Sequence, residues 1–265
     1  MVAGYKKSIT EKTEEFLLDL SMGHYKPSWI PVHKFGRNVA IPNGAWATIA
    51  NLGAAPYPFP AAPTTVRIKA GGNAADTEDG AGARSVIVTG IDSNMQEVSE
   101  TLVTAGASAS LSTTTEFWRV YFANVVDAGV YATPYNTGPI VIENTAGTAD
   151  LLRMEAEEGQ TLLGIYSVPA GRTLLVLSVR LSVDANKAAD VRLFKRENFD
   201  VVTPPVTSRR LVDWWDGQVG SDTFAGSHPS EAVIGPADIW LEARGSTAQT
   251  EVSANMEFFC YPTRT

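Results

Sequence analysis

The spacing of apolar residues changes along the chain, from a helical period near the start to a period of two afterwards. In residues 8–22, Phe16 and Leu20 belong to a short apolar side at helical spacing. Ser8 and Glu11 form a candidate capping box, and Gly23 follows as a C-terminal stop. The pattern predicts a short helix at the beginning of the chain.

Residues 24–37 contain two prolines, Pro27 and Pro31, which exclude a helix and favour extended backbone. The sequence therefore predicts an N-terminal helix and extended arm over residues 1–37. Two hypotheses remain open for the arm, because it could pack on its own domain or reach a neighbouring subunit. The candidate interface residues of this region are Phe16, Leu20, Tyr25, Trp29 and Phe35.

From about Arg37 onward the period is two, which is typical of half-buried strands. The clearest alternation lies in residues 175–183, and residues 84–104 read as a hairpin with turn residues at its centre. Other strands are predicted at residues 66–70, 117–126, 139–144, 161–168, 190–196, 210–215, 237–244 and 251–261.

This strand spacing predicts an all-β fold with two tandem β-sandwich, jelly-roll-like domains behind the helix and arm. The first sandwich is assigned to residues 38–147 and the second to residues 148–265, with the joint near Gly147. The loop at residues 53–63 holds four prolines, so we expect a surface connection there.

Charge and composition exclude several classes of function. The 265-residue chain has a net charge of -8 and no basic stripe, which argues against nucleic acid as a partner. No apolar stretch is long enough to span a membrane, and no apolar segment typical of a signal peptide follows the N-terminal lysines. The single cysteine, Cys260, lies in an alternating run and is predicted to be a buried core residue.

Residues with catalytic or metal-binding chemistry are scarce. The three histidines, His24, His33 and His228, lack metal-ligand spacing, and no nucleophile or phosphate-binding motif is present. We therefore expect a non-enzymatic protein without cofactor or metal.

Two acidic groups could be solvated loops or cation sites. Asp76, Glu78 and Asp79 alternate in a Gly-rich segment, as calcium ligands can, but the EF-hand pattern is not met. The other group is Glu155, Glu157 and Glu158. A solvated loop is the preferred interpretation of both.

Tryptophans give the most ambiguous signal. Trp214 and Trp215 are adjacent, so at most one of them faces the core, and Trp240 lies opposite Ile239 and Leu241. An outward tryptophan could be covered by the arm or the other domain, fill a subunit interface, or stack on a sugar. Trp215 and Trp240 are added to the candidate interface residues.

Several phrases of the sequence resemble structural proteins of tailed bacteriophages. They are residues 76–94, residues 97–102 and residues 166–173, within a resemblance that covers roughly residues 37–200. The resemblance implies an architectural virion component, such as a head decoration, head-to-tail joining or minor tail protein. It carries over no catalytic residues.

The resulting hypothesis is a virion protein, assembled in the host cytoplasm, that associates with itself and with major capsid, portal or tail proteins. The alternative is a carbohydrate- or receptor-binding module that uses Trp214, Trp215, Trp240 and the loop at residues 217–227. A polysaccharide hydrolase on a β scaffold is a third hypothesis, which the lack of any catalytic motif argues against.

Overall fold

The computed structural model describes residues 29–225 and 232–263, which form sixteen strands and no helix. The strands are β1 Ile30–Ile41, β2 Ala47–Thr48, β3 Val66–Ile68, β4 Ala83–Asp92, β5 Glu97–Val103, β6 Phe117–Ala128, β7 Ile140–Asn144, β8 Asp150–Met154, β9 Ile165–Val168, β10 Arg172–Val183, β11 Ala189–Glu197, β12 Arg210–Gln218, β13 Ser221–Ala225, β14 Ala232–Ile234, β15 Ala237–Gly245 and β16 Thr250–Pro262. The all-β prediction is confirmed. The predicted helix at residues 8–22 lies outside the described residues.

Local patterns produce most of these strands at the predicted places. In β10, Val179, Leu181 and Val183 are buried, as the alternation of the sequence predicts. The prediction is wrong for Leu175 and Leu177, which are partly exposed, because the pairing with β16 shifts register between Val176 and Ser178 and turns Leu174 and Val176 inward. The hairpin of β4 and β5 closes where the Asp92 carboxylate accepts the backbone N–H groups of Asn94 and Gln96 at 2.9 and 2.8 Å. The hairpin predicted at residues 84–104 is therefore confirmed.

Two five-stranded sheets form the larger part of the molecule. The first has the order β1-β16-β10-β13, with β14 also paired to β10. The second has the order β12-β11-β15-β2, with β9 also paired to β15. Ring contacts join the two sheets, with centroids of Tyr166 and Phe258 at 6.3 Å and of Trp215 and Phe224 at 5.1 Å. The core of this part lies between the sheets.

Two three-stranded sheets come from the middle of the chain. One has the order β3-β7-β8 and the other the order β5-β4-β6. All six strands lie between β2 and β9 in sequence, so the chain leaves the larger sheets after β2 and returns to them at β9. The smaller sheets therefore form a block inserted into the larger pair.

The structure places the end of the predicted arm in a sheet. Residues 30–37 belong to β1, which pairs with the C-terminal β16 from Ile30 opposite Cys260 onward. Pro31 is accommodated because β1 is an edge strand, where a missing N–H costs no ladder hydrogen bond. The extended backbone was foreseen, but its partner lies more than two hundred residues away.

The predicted joint at residues 147 and 148 falls within a hairpin turn. Strands β7 and β8 pair directly across it, and the Asn144 side chain accepts the backbone N–H of Thr148 at 2.8 Å. The chain does not pass from one group of sheets to the other at this point. Gly147 marks the turn itself, through its φ of 69°.

Candidate functional site: an open sheet face and a strand edge

One face of the second large sheet carries a ladder of paired polar and aromatic side chains. In the register of β11 and β15, Asp190 lies opposite Arg244, Arg192 opposite Glu242, and Phe194 opposite Trp240. Directly opposed residues on alternate positions point to the same side of a sheet. These rungs therefore share a face, which divides into a covered half and an open half.

Residues contributed by the inserted block bury the covered half, which contains Phe194, Trp240 and Asp238. Phe59 packs on Trp240 with ring centroids 4.9 Å apart, and Phe194 stacks on the same indole at 5.6 Å. Tyr57, two residues before Phe59, donates its hydroxyl to the Val120 carbonyl at 2.9 Å. The proline-rich loop lies outside the strands, as predicted. Its Tyr57 and Phe59 rings pack on each other, and Phe59 covers Trp240; we call these two rings the aromatic plug.

A buried ion pair completes the covered half. The Arg119 guanidinium of β6 lies 3.0 Å from the Asp238 carboxylate of β15, and the two side chains are 1% and 0% exposed. Ser167 donates a hydrogen bond to Asp238 at 2.7 Å, and Arg119 donates another to the Pro60 carbonyl at 2.7 Å. Burial raises the pKa of Asp238, and the Arg119 charge opposes that shift.

A second polar cluster joins the inserted block to β1 and β9. The Lys34 ammonium of β1 donates to the Tyr121 carbonyl of β6 at 2.6 Å and lies 5.2 Å from the centroid of that tyrosine ring. Burial lowers the pKa of Lys34 to about 7, while the nearby Glu97 acts in the opposite direction. The Glu97 carboxylate accepts hydrogen bonds from the hydroxyls of Tyr121 and Tyr166. Both clusters hold the inserted block against the larger sheets.

The open half of the ladder contains Trp46, Arg192, Arg244 and Trp214. The Arg192 guanidinium lies 3.7 Å from the Trp46 ring centroid, and that of Arg244 lies 4.9 Å away. Trp214 meets Trp46 edge to face at 5.7 Å and remains 46% exposed. Asp190 binds Arg244 at 2.5 Å, so the arginines are held in place by carboxylates as well as by rings.

A stretch of exposed apolar residues adjoins the open half. It runs through the loop before β12 and along β12 itself, over residues 201–219. Six of its large apolar side chains are between 41% and 66% exposed: Val201, Val202, Val206, Leu211, Trp214 and Val219. Strand β12 is also the edge of its sheet, paired on one side by β11. We call residues 201–219 the β12 edge.

The structure separates the tryptophans that the sequence left ambiguous. Trp215 and Trp240 are 7% and 3% exposed and pack against aromatic residues of their own chain, while Trp214 is exposed. The expectation that one member of the Trp214–Trp215 pair faces outward is met. The face opposite Ile239 is covered, and the cover is the inserted block.

The candidate residues near the N-terminus have different environments. Trp29 is half-buried against Phe259 and Tyr261 of β16, with ring centroids 5.3 and 5.9 Å apart. Phe35 is 37% exposed on the outer side of β1. Phe16, Leu20 and Tyr25 lie outside the described residues, as do His24 and His228.

Cys260 occupies the core position that its alternating sequence predicted. It is 1% exposed, and burial raises the pKa of its thiol to about 11. This environment keeps the thiol protonated at neutral pH and suits a packing role.

The interpretation of Asp76, Glu78 and Asp79 as a solvated loop is wrong for Asp76. Its carboxylate is buried and accepts the backbone N–H groups of Ala83, Thr137 and Gly138 at 2.8, 2.8 and 2.9 Å. It therefore organises two loops of the inserted block. Within residues 29–225 and 232–263, no group of three histidine, cysteine or acidic side chains is placed to hold a metal ion.

In the other acidic group, two of the three glutamates, Glu155 and Glu158, form ion pairs. Glu155 lies 2.6 Å from Arg153, and Glu158 lies 3.6 Å from Arg37 of β1. Nearby, a groove of about 670 Å³ opens between the loop at residues 51–58 and the β7–β8 hairpin. Its rim carries the ion pair of Lys69 and Asp150 at 2.7 Å.

Comparisons with known proteins give only distant similarity. No protein family and no curated protein matches the chain. A solved structure of infectious bursal disease virus Gt strain aligns over 93% of this chain and 78% of its own, at 10% identity and a TM-score of 0.25. The T=1 particles derived from infectious bursal virus give 10% identity and 0.25, with 93% and 76% covered. The T13 particle of that virus gives 12% and 0.26, with 93% and 74% covered.

Scores of this size assign neither fold nor function, so the chain's own residues must support any proposal. Among the described residues there is also no helix with the length and apolar character needed to cross a bilayer.

Proposed function

We propose that the chain is a non-enzymatic structural subunit of a tailed-phage particle. In this proposal it associates with itself and contacts other virion proteins, such as the major capsid, portal or tail proteins. The phage assignment rests on the resemblance of residues 76–94, 97–102 and 166–173 to structural proteins of such particles. The architecture and the surface support the structural role independently.

The observation that carries the proposal is the strand order of the two larger sheets. One sheet has the order β1-β16-β10-β13. In the sheet that faces it, β12, β11, β15 and β9 are successive neighbours, and β2 pairs with β15 beside β9. The chain passes repeatedly from one sheet to the other. This is the arrangement of an eight-stranded jelly roll, an architecture used by viral capsid and lectin domains. We therefore propose one jelly roll, interrupted between β1 and β9 by the smaller sheets, in place of two tandem sandwiches.

The β12 edge favours protein contact among the roles that a jelly roll can have. Five of its six exposed large apolar side chains are aliphatic, including Val202, Val206 and Leu211. Burial of aliphatic side chains away from water lowers the free energy. Contiguous exposed patches of such side chains mark protein–protein contacts. A subunit that assembles after synthesis needs such a surface.

The proposal is tested on particles released from a host that encodes the chain. Purified intact particles should contain the chain as a stoichiometric component by mass spectrometry, and antibodies against it should label them. Particles that lack the chain, while the lysate contains it in soluble form, would contradict the proposal.

A separate variant tests whether the N-terminal segment contacts a neighbouring subunit. Deletion of the predicted arm to residue 35 would remove half of β1, so the variant should lack residues 2–28 only. We expect this variant to unfold cooperatively at the wild-type denaturant concentration, because β1 and its pairing with β16 remain. Loss of incorporation into particles would support a contact role for the segment, and normal incorporation would contradict it.

A carbohydrate-binding role is the second candidate, and the exposed indole of Trp214 favours it. The ring lies beside Trp46 and the Asp190–Arg244 pair, so an apolar face and polar groups stand together. Two of the three tryptophans first considered for sugar binding, Trp215 and Trp240, are buried. Binding on a glycan array that disappears in Trp214→Ala would support this role, and an array without hits would reject it.

A further inference from the structure

The β12 edge has the features of a surface that pairs with another strand. Strand β12 ends the order of its sheet, and no other strand of the described residues pairs with its outer side. An unpaired edge exposes a row of backbone N–H and C=O groups, which proteins usually cover or protect. Strand β12 is nine residues long, and Leu211 and Trp214 are exposed on it.

The apolar surface of the described residues is concentrated at this edge. Six of their fourteen exposed large apolar residues lie within residues 201–219. The loop at residues 201–209 extends the surface beyond the strand. Interfaces of standard size use roughly 20 to 30 residues on each side. The β12 edge therefore supplies most of one side of such an interface.

Charge is distributed unevenly along the strand. Arg210 is the first residue of the strand, Asp213 lies just before its centre and Asp216 lies near its end, while Arg209, directly before the strand, pairs with Glu242 at 3.2 Å. Asp216 also lies beside Asp190, and this neighbouring carboxylate raises the pKa of Asp216. The Arg244 guanidinium, which binds Asp190, opposes this shift, and the Asp216 carboxylate itself is exposed to a cation from outside. When two copies of the strand run antiparallel about Asp213, Arg210 of each copy lies beside Asp216 of the other. These two attractive pairs flank the two Asp213 carboxylates, which meet at the axis and repel each other.

We infer that the β12 edge binds a second copy of this chain across a two-fold axis, with the two β12 strands antiparallel and side by side. The inference rests on the proposed function, because it names the partner of the surface that supports self-association. In this arrangement the Arg210 end of one copy lies beside the Asp216 end of the other. The exposed apolar residues of both copies flank the joined strands. Two-fold contacts of this kind use the same patch on both subunits.

A charge exchange tests the arrangement. Arg210→Glu and Asp216→Arg are each expected to raise the concentration at which the complex dissociates by about tenfold or more, since each places like charges together. The double variant Arg210→Glu/Asp216→Arg is expected to regain the wild-type association. Solution mass is measured by light scattering over a concentration series. Far-ultraviolet spectra verify that each variant is folded.

The matched controls make the same charge changes outside the β12 edge. Arg180→Glu alters an exposed residue of β10, and Glu78→Arg alters an exposed loop residue of the inserted block. Both should keep the wild-type mass. A second probe, Leu211→Glu, should also weaken association because it places a charge among the apolar side chains.

The outcomes separate this inference from the proposed function. Restored association in the double variant, with unchanged controls, supports antiparallel β12 pairing. An oligomer that tolerates all the β12 variants overturns the pairing but leaves the structural role intact. An oligomer lost in both single variants and not regained in the double variant overturns the antiparallel arrangement. A wild-type chain that is monomeric at every concentration overturns the pairing and the self-association together.

Discussion

The two halves of the β11–β15 ladder differ in what covers them. In the covered half, Trp240 and Asp238 are buried by Phe59 and Arg119 of the inserted block. In the open half, the similar combination of indole and ion pair at Trp214 and Arg244 faces solvent. The same chemistry therefore serves folding where a second layer exists, and remains available for contact where it does not.

The largest expected effect is on the ion pair of the covered half. Arg119→Met leaves the Asp238 carboxylate buried without its partner, and removing one member of such a pair costs about 3 to 5 kcal/mol. We expect that loss in the free energy of unfolding measured with denaturant. The double variant Arg119→Met/Asp238→Leu, which removes both charges, should be close to wild type. A single variant as stable as wild type would show that the pair does not hold the inserted block.

The next effect concerns the aromatic plug. Phe59→Ala removes the ring that packs on Trp240 and on Tyr57, and it should lower the free energy of unfolding by about 2 kcal/mol for a partly buried phenylalanine. Phe59→Leu, which keeps an apolar side chain of intermediate size, should lose about half of that. Thermal unfolding gives both values. Equal stability of Phe59→Ala and wild type would contradict the role of the plug.

Lys34 makes the junction sensitive to pH. Its folded pKa of about 7 lies below the ordinary value of 10.5, so between these pH values the unfolded chain binds more protons. Unfolding free energy then rises with pH from about 7 upward, by up to about 1.4 kcal/mol per pH unit. Cys260, whose pKa is raised to about 11, opposes the rise above about pH 8.5.

The measurement for Lys34 is the difference in unfolding free energy between wild type and Lys34→Met from pH 7 to pH 8.5. The difference should change by about 2 kcal/mol across this range in favour of wild type at the higher pH. A flat difference would show that the Lys34 ammonium keeps its ordinary pKa in the folded protein.

The smallest effect on stability is expected in the open half. Trp214→Ala removes an exposed ring and should change the free energy of unfolding by about 0.5 kcal/mol or less. Its effect should appear in association. A loss of several kcal/mol, comparable with that of Arg119→Met, would mean that the two halves do not differ as described.

Sequence patterns identified most of the strands, but not β2, β8, β13 or β14, and apart from the β4–β5 hairpin they did not identify which strands pair. The alternation over residues 175–183 identified β10, and the turn at Asp92 identified the β4–β5 hairpin. Alternation also placed Cys260 in the core. These features depend on neighbours in sequence, which a local pattern records.

The arrangement of the sheets depends on contacts that no local pattern contains. Ile30 pairs with Cys260, so a segment that resembles an arm is the edge strand of a distant sheet. The plug at Phe59 stands in a loop whose prolines indicate only that it is not a strand. The exposure of Trp214 and the burial of Trp240 likewise depend on whether the inserted block reaches that part of the sheet. In the sequence, the only signal for the β12 edge was the concentration of valines over residues 201–219.

We expect the exposed β12 edge to make this chain self-associate. Light scattering of the full chain at neutral pH, over a wide range of concentration, measures the association. One discrete species is expected, with a mass that is an even multiple of the 28.4 kDa chain mass, and it should dissociate on dilution. A mass of a single chain at every concentration would contradict it.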